Sequence, residues 1–284
     1  MQGRSAHPRF GLCVAAIAWL SAPAALGQGA PPAEEVGVGV ELVLAVDISR
    51  SIDGAEQRLQ RRGYGEALRS RDVQDAILNG GWGRVAIAYV EWAGAWSQSV
   101  LVPWTLIDSP AAAEALAARI EAGRHTGASR TSISGAIDFS AGLFDGNGFA
   151  GLRRVIDISG DGPNNQGRSV TEARDAALRR GITINGLPLM TNAPAEGDPF
   201  GGWGTIPALD VYYAECVIGG PGAFSIPVTD WAQFAHAVRQ KLVLELAGLQ
   251  PPAVEALVLA RTPQDCLIGE RLWQERQRRW NSGE

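Results

Sequence analysis

A chain of 284 residues has room for one or two domains. Its content, 46% hydrophobic and 19% charged, supports a sizeable core and excludes a disordered chain, while 35 Gly and 16 Pro call for many turns without a collagen-like repeat. With 25 basic against 30 acidic residues the formal net charge is −5, so there is no basic surplus to hold a phosphate backbone, which argues against nucleic acid as a partner.

Arg4 and Arg9 precede an apolar run from Phe10 to Leu20, and small residues follow up to Ala25-Leu26-Gly27. This reads as a secretory signal peptide over residues 1–27. The run is shorter than the roughly 20 apolar residues of a membrane-spanning helix, so no stable span is expected in the mature chain. The expected location is across the inner membrane, periplasmic or extracellular. Cys13 falls in the leader behind Leu12, which is not the small residue of a lipoprotein cleavage site. Cys216 and Cys266 remain, and in an exported chain they leave two readings open: one disulfide tying the C-terminal tail to the body, or two buried thiols.

Residues 28–40, rich in Gly, Pro and Glu, read as a linker. Glu41 to Val46 is a continuous apolar run, the pattern of a strand buried on both faces. Gly54 to Leu78 is helical in character with breaks expected near Gly63 and Gly65. Strands are expected at Arg84 to Trp92 and Ser97 to Trp104, with Pro103 suiting an edge position. A helix over Ala111 to Ala122 has Ser109 as its cap and Pro110 in its first turn. A helix over Ser132 to Phe144, a strand over Arg154 to Ser159, a helix over Ser169 to Arg180 stopped by Gly181 and a strand over Ile182 to Leu187 follow. A short helix at Ala208 to Ala214, a sixth strand at Ala223 to Val228 and a helix at Asp230 to Leu246 complete residues 41–246 as one domain. The tail, residues 247–284, carries a helical stretch around Glu270 to Trp280, too small for a core of its own, that either packs on the domain or stays loose. Strands alternating with helices predict an α/β fold: a mostly parallel six-stranded sheet with helices on both faces.

One constellation carries chemistry. The first strand ends in Asp47-Ile48-Ser49-Arg50-Ser51, and alternate side chains of an extended segment share a face, so Asp47, Ser49 and Ser51 can aim three oxygens at one point. The fourth strand ends in Ser159-Gly160-Asp161-Gly162, and between them Gly127 to Ser132 forms a polar loop opening a helix. In a strand order 3-2-1-4-5-6, strands 1 and 4 are neighbours at the reversal point, where ligand crevices form beyond the strands' carboxyl ends. Asp47, Ser49, Ser51, Thr131 and Asp161 then form an all-oxygen set suited to Mg²⁺, or to Mn²⁺ or Ca²⁺, rather than to zinc or copper. Glu91, on the same rim, and Ser159 are candidate contacts behind those ligands.

These segments resemble the metal-ion-dependent adhesion site of von Willebrand factor type A (VWA) domains, and the element order from Glu41 to Leu246 resembles that fold. The stretches RRVIDISGDGPNN (Arg153 to Asn165) and CVIGGPGAF (Cys216 to Phe224) are similar to an uncharacterised bacterial family of secreted proteins of this type. The resemblance implies a Rossmann-like, doubly wound α/β fold and a divalent cation held by Asp47, Ser49, Ser51, Thr131 and Asp161, with one coordination position open to an acidic group of a protein partner. Gly160 departs from the pattern, since many relatives place Thr or Ser before the last Asp.

Elsewhere the plain readings weigh more. Asp157, inside an apolar strand, is read as a hydrogen-bonded structural carboxyl. Lys241, the only lysine, is read as a matter of composition, His125 as a surface residue and His236 as structural. Trp82, Trp92, Trp96 and Trp104 are read as core and sheet packing. The Asn192 to Thr205 loop is the candidate for partner selection. The leading function is a non-enzymatic, metal-dependent protein-binding module. A Mg²⁺-dependent hydrolase ranks below it, because no His-activated Ser or Cys and no Gly-rich phosphate loop with Lys is visible. A metal-free scaffold of the same fold is the third reading.

Overall fold

The apolar runs of the sequence become a five-stranded sheet in the computed structural model, which describes residues 34–124, 126–191, 205–249 and 263–282. The leader, part of the linker, His125 and nearly all of the Asn192 to Thr205 loop lie outside the described residues. The strands are β1 (Val36–Asp47), β2 (Val85–Trp92), β3 (Gln98–Ile107), β4 (Phe149–Gly160) and β5 (Ile182–Pro188). Their order is β3-β2-β1-β4-β5, with β3 antiparallel at one edge and the other pairings parallel. Pro103 sits in that edge strand, where its missing N–H is tolerated.

The first and the last strand depart most from the sequence expectation, while β3 and β4 run longer, to Ile107 and from Phe149. The first strand takes in Val36 to Val40, which read as linker because of their glycines, and they pair with the start of β4. Gly37 is there because the Trp82 ring lies over it: an added Cβ would stand 2.4 Å from that ring. The sixth strand does not form as a continuous ladder. Ala223 to Val228 runs beside β5 through isolated bridges, Gly186 with Ser225 and Leu189 with Val228. Gly186 donates to Phe224 and Val228 donates to Pro188, but Pro188 has no N–H to return, so the ladder is interrupted there.

The helices, in chain order, are α1 (Gly54–Arg69), α2 (Arg71–Leu78), α3 (Pro110–Glu121), α4 (Ile133–Gly142), α5 (Val170–Arg179), α6 (Leu209–Tyr212), which runs into a π-helical turn (Tyr213–Val217), α7 (Phe234–Ala247) and α8 (Ile268–Ser282). Ser109, Ser132 and Ser169 cap α3, α4 and α5, each accepting a backbone N–H with its hydroxyl. The α1–α2 break falls at Ser70, not at Gly63 or Gly65. Those glycines serve close approach instead: a Cβ on Gly63 would be 2.5 Å from the Phe234 ring, and one on Gly65 2.3 Å from the Glu121 carboxylate.

Period-2 alternation splits the sheet into two faces. Val40, Leu42, Leu44 and Val46 of β1 join α1, α2, α3 and α7 in one core. Val43 and Ala45 join α4, α5, α6 and the π-turn in the other, against which Ile268 and Leu272 of α8 pack. The first face also holds charge. Lys241 Nζ lies 2.7 Å from Asp157 and in close contact with Glu245, all three side chains buried. Asn185 donates to Glu245 at 2.8 Å, and the Lys241 ammonium stands 5.2 Å from the Phe224 ring. Asp157 is therefore an ion-paired structural carboxyl, and Lys241 has a structural role that composition concealed. Burial and Asp157 push Glu245 up to about 7.

Candidate metal centre

Asp47 ends β1 fully buried, on the α4–α5 face of the sheet. The chain then turns, and the Ser49 N–H donates to Asp47 Oδ1 at 2.7 Å. The Ser49 and Ser51 hydroxyls are 3.0 Å apart, and Ser51 Oγ donates to Asp161 Oδ1 at 2.8 Å. An unbroken polar chain thus runs Asp47–Ser49–Ser51–Asp161 across the ends of β1 and β4. Thr131 lines the same cleft as Ser49 and Ser51, and a bridge between Ser49 and Ala128 ties the two loops.

The electrostatics describe carboxyls packed together without compensating charge. Burial, and next the neighbouring Asp161 carboxyl, push Asp47 well above the usual carboxylate range against the opposing pull of Ser49 and the Asp161 backbone N–H. Burial raises Asp161 to about 6, opposed by the Ser51 hydroxyl, with Glu56 adding to the rise. Asp47 Oδ2 is buried with no hydrogen-bond partner. Two buried carboxyls, flanking hydroxyls and an orphaned carboxylate oxygen make a donor set that fits a hard divalent cation.

The Thr131 loop is strapped to the segment after Asp161 by reciprocal bonds. Thr131 N–H donates to Asn165 Oδ1 at 3.0 Å, and Asn165 N–H donates back to the Thr131 carbonyl at 2.8 Å. Asn164, fully buried, accepts from Ser134 N–H at 3.0 Å and donates to Glu270 of α8 at 2.7 Å. The asparagines carry the loop geometry, a role the sequence reading did not assign, although Asn164-Asn165 following so closely on Asp161 was a usable signal.

Gly160 is explained by what crowds it. A Cβ there would stand 2.9 Å from the Tyr213 hydroxyl and 3.0 Å from Asp47 Oδ2. Tyr213, from the π-turn, takes up the space a Thr or Ser would use, and its hydroxyl is buried without a partner beside both carboxyls. Single π-turns concentrate at functional sites, and nothing in the spacing of Tyr212-Tyr213 announces one.

Two expected contacts are corrected. Glu91 points to the opposite face of the sheet from Asp47, where Arg61 Nε and Nη2 donate to it at 2.9 and 2.5 Å. The same guanidinium donates to the carbonyls of Gly123 and Arg124, and Gln57 donates to that of Thr126. Glu91 therefore acts through Arg61 on the loop leading to Thr131, not behind the Asp47–Asp161 oxygen set. Ser159 also faces away, by the alternation that sends Asp157 to Lys241 on the α7 side.

The tryptophans divide as well. Trp92 is buried and Trp104 packs on Phe144 and Phe149, but Trp96 is 87% exposed. It sits in the turn after Gly94, on the surface and not in the core. His236 is exposed on α7, with its Nδ1 3.0 Å from Arg239.

The tail reaches the site too. Cys216 of the π-turn is bonded to Cys266, with the Cα atoms 5.5 Å apart, just ahead of α8. Gly269 of α8 rests directly on the Asn164 backbone, where a Cβ would be 2.1 Å from the carbonyl oxygen. Further along α8, Trp273 stacks under Arg130, 3.4 Å from ring centroid to guanidinium carbon. Among the described residues no helix is long and apolar enough to cross a membrane, and no cluster of three or more His, Cys, Asp or Glu is arranged for a metal ion.

The sheet order and the site at the ends of its two central strands define a VWA-like fold. Solved structures agree at the level of fold. Proximal thread matrix protein 1 (PTMP1) from the mussel byssus matches at 16% identity over 76% of this chain and 49% of its own, with a TM-score of 0.54. A further structure of PTMP1, described as having a zinc-occupied MIDAS motif, matches at 17% over 76% and 49%, TM-score 0.53. The pilus adhesin SpaC from Lactobacillus rhamnosus GG matches at 11% over 75% and 32%, TM-score 0.53. The chain thus spans about half the length of PTMP1 and about a third of SpaC. Residues 37–250 match the model of a family described as protein of unknown function (DUF1194), and the chain belongs to that family. No curated relative matches it in sequence.

Proposed function

We propose that this chain is an exported, non-enzymatic protein-binding module that captures a carboxylate of a partner protein through a divalent cation. The observation that carries the reading is the polar chain Asp47–Ser49–Ser51–Asp161, with Thr131 in the same cleft and Asp47 Oδ2 left without a partner. Ser49, Ser51 and Thr131 would supply hydroxyl ligands, while Asp47 and Asp161 hold the ion through their carboxylates or through water. The all-oxygen set favours Mg²⁺ or Mn²⁺, with Ca²⁺ as the larger alternative. A bound cation would supply a Lewis-acidic position there, with room in an octahedral shell for one oxygen from outside the chain. Asn165 fixes Thr131, Arg61 with Glu91 fixes the loop before it, and the Tyr213 hydroxyl closes the floor beneath Gly160. The zinc-occupied MIDAS motif of PTMP1 supports the general class of chemistry.

Titration calorimetry with Mg²⁺, Mn²⁺ and Zn²⁺, paired with thermal unfolding, tests the reading. The wild-type chain binds one ion with a raised melting temperature, and Asp47→Asn or Asp161→Asn abolishes both. Metal-independent melting of the wild-type chain overturns it. Metal-dependent turnover of phosphate or acyl esters, lost with Asp161→Asn, would move the assignment to a hydrolase.

A further inference from the structure

Beyond the ion-binding oxygens, the cleft over the site is built from a second set of residues. It has a volume of about 490 Å³, and Arg50, Arg130 and Arg276 line it together with Trp273, Ser49 and Thr131. Among the described residues no carboxylate side chain lines it, on a chain whose formal net charge is −5. Three guanidinium groups gathered around one cleft of an acidic protein are an electrostatic selection for an acidic ligand.

Arg130 is held for this purpose against its own backbone preference. Among the described residues it is the only non-glycine with positive φ, at 80°. Left-handed backbone at such a residue persists only where its surroundings over-determine it, and it concentrates at binding sites. Here the surroundings are the Trp273 ring at 3.4 Å and the Asn165 carbonyl, 3.4 Å from Arg130 Nη2. Both neighbours are neutral. A partly desolvated guanidinium whose neighbours are a ring and a carbonyl has its charge uncompensated, and an outside carboxylate supplies what is missing.

The opposite wall is α8, and it is fixed. The Cys216–Cys266 bond, the Asn164–Glu270 hydrogen bond and the seating of Gly269 on Asn164 anchor its first turns, which carry Trp273 and Arg276 to the cleft. A cleft held in shape before the ligand arrives gives up less entropy on binding.

We propose that the cleft between the metal-site loops and α8 recognises a peptide segment bearing two carboxylates: one directed to the metal site, the other taken by Arg130. The proposal rests on the reading of Asp47, Ser49, Ser51, Thr131 and Asp161 as a metal centre that captures a carboxylate. It adds the chemical class of the partner segment, a closely spaced pair of acidic side chains, and makes the tail helix a specificity wall.

The test uses the disulfide-intact mature chain with saturating Mg²⁺. Three dye-labelled, C-terminally amidated hexapeptides are titrated by fluorescence anisotropy: one with two acidic side chains two residues apart, one with a single acidic side chain, and one with none. A fourth carries a phosphoserine in place of the acidic pair. The two-acid peptide is expected to bind at least tenfold tighter than the one-acid peptide. Arg130→Gln reduces that ratio below threefold and Arg130→Glu brings it to one or less, while Arg130→Lys gives an intermediate ratio. A wild-type ratio near one, with one-acid binding still lost on chelation, overturns this proposal alone. An unchanged ratio in both Arg130→Gln and Arg130→Glu, or tighter binding of the phosphoserine peptide, also overturns it alone. Absence of any Mg²⁺-dependent acid binding overturns the metal-capture reading and this proposal with it.

Discussion

Replacing Lys241 with Met tests the buried charge cluster that joins α7 to the centre of the sheet. The substitution keeps the apolar stem and removes the ammonium paired with Asp157 and Glu245, both of which are buried. Each carboxyl must then be neutral for the chain to stay folded. At about 1.4 kcal/mol per pH unit, holding a carboxyl of ordinary pKa near 3.9 protonated at pH 7 costs about 4 kcal/mol, in line with the ~3–5 kcal/mol for breaking a buried ion pair. Asp157 carries most of that cost, because Glu245 already titrates at about 7 with Lys241 present. The relief of Lys241 desolvation offsets a part, so we expect a loss of about 3–4 kcal/mol at pH 7 and about 1–2 kcal/mol at pH 5, where protons neutralise Asp157 more cheaply. Urea unfolding followed by tryptophan fluorescence and circular dichroism at both pH values reads this directly. Adding Asp157→Asn to Lys241→Met should restore at least half of the loss at pH 7. A loss under about 1 kcal/mol, or one that is the same at pH 5 and pH 7, would refute the argument that these groups are a coupled buried cluster.

Further outcomes follow from the same geometry. Glu245 has a folded-state pKa raised to about 7, so its stabilising contribution is fully present below the unfolded value near 4.3 and is lost as pH rises through 7. Glu245→Gln should remove that fall, about 3 kcal/mol between pH 4.5 and pH 8.5, measured as the difference between the two stability–pH curves. Replacing both Cys216 and Cys266 by Ser opens a loop with a sequence separation of 50 and should cost about 4 kcal/mol in guanidinium unfolding. Gly160→Ser drives a Cβ into the Tyr213 hydroxyl and Asp47, and about 1–3 kcal/mol of stability is expected to go with it. Tyr213→Phe in the same chain should return much of that loss, and thermal melts of the four variants measure the coupling. Gly269→Ala meets a backbone carbonyl and not a flexible side chain, so it should lift α8 from Asn164, seen as faster proteolysis within residues 263–282 and a shifted Trp273 emission.

Local signals were enough for the element order. Short apolar runs bounded by turn residues read as strands covered on both sides, and Ser109, Ser132 and Ser169 start helices because an N-cap hydroxyl accepts one of the free N–H groups of the first turn. The spacing of Asp47, Ser49 and Ser51 also declared a common target for their oxygens, and the parallel order β1–β4 then brings Asp161 to them. The rest depended on contacts between residues far apart in the chain. Glu91 and Ser159 looked like neighbours of the site until the pleat turned them to the other face. Gly63 and Gly65 read as helix breaks, yet they are places where α7 and α3 come close. A single lysine carried no pattern until α7 laid it against Asp157. The tail helix had no core of its own, and only its disulfide and the fit of Gly269 on Asn164 seat Trp273 under Arg130. Sequence fixes what one segment prefers alone through backbone sterics and hydrophobic period. Partners across the fold are set by packing, which no single segment records.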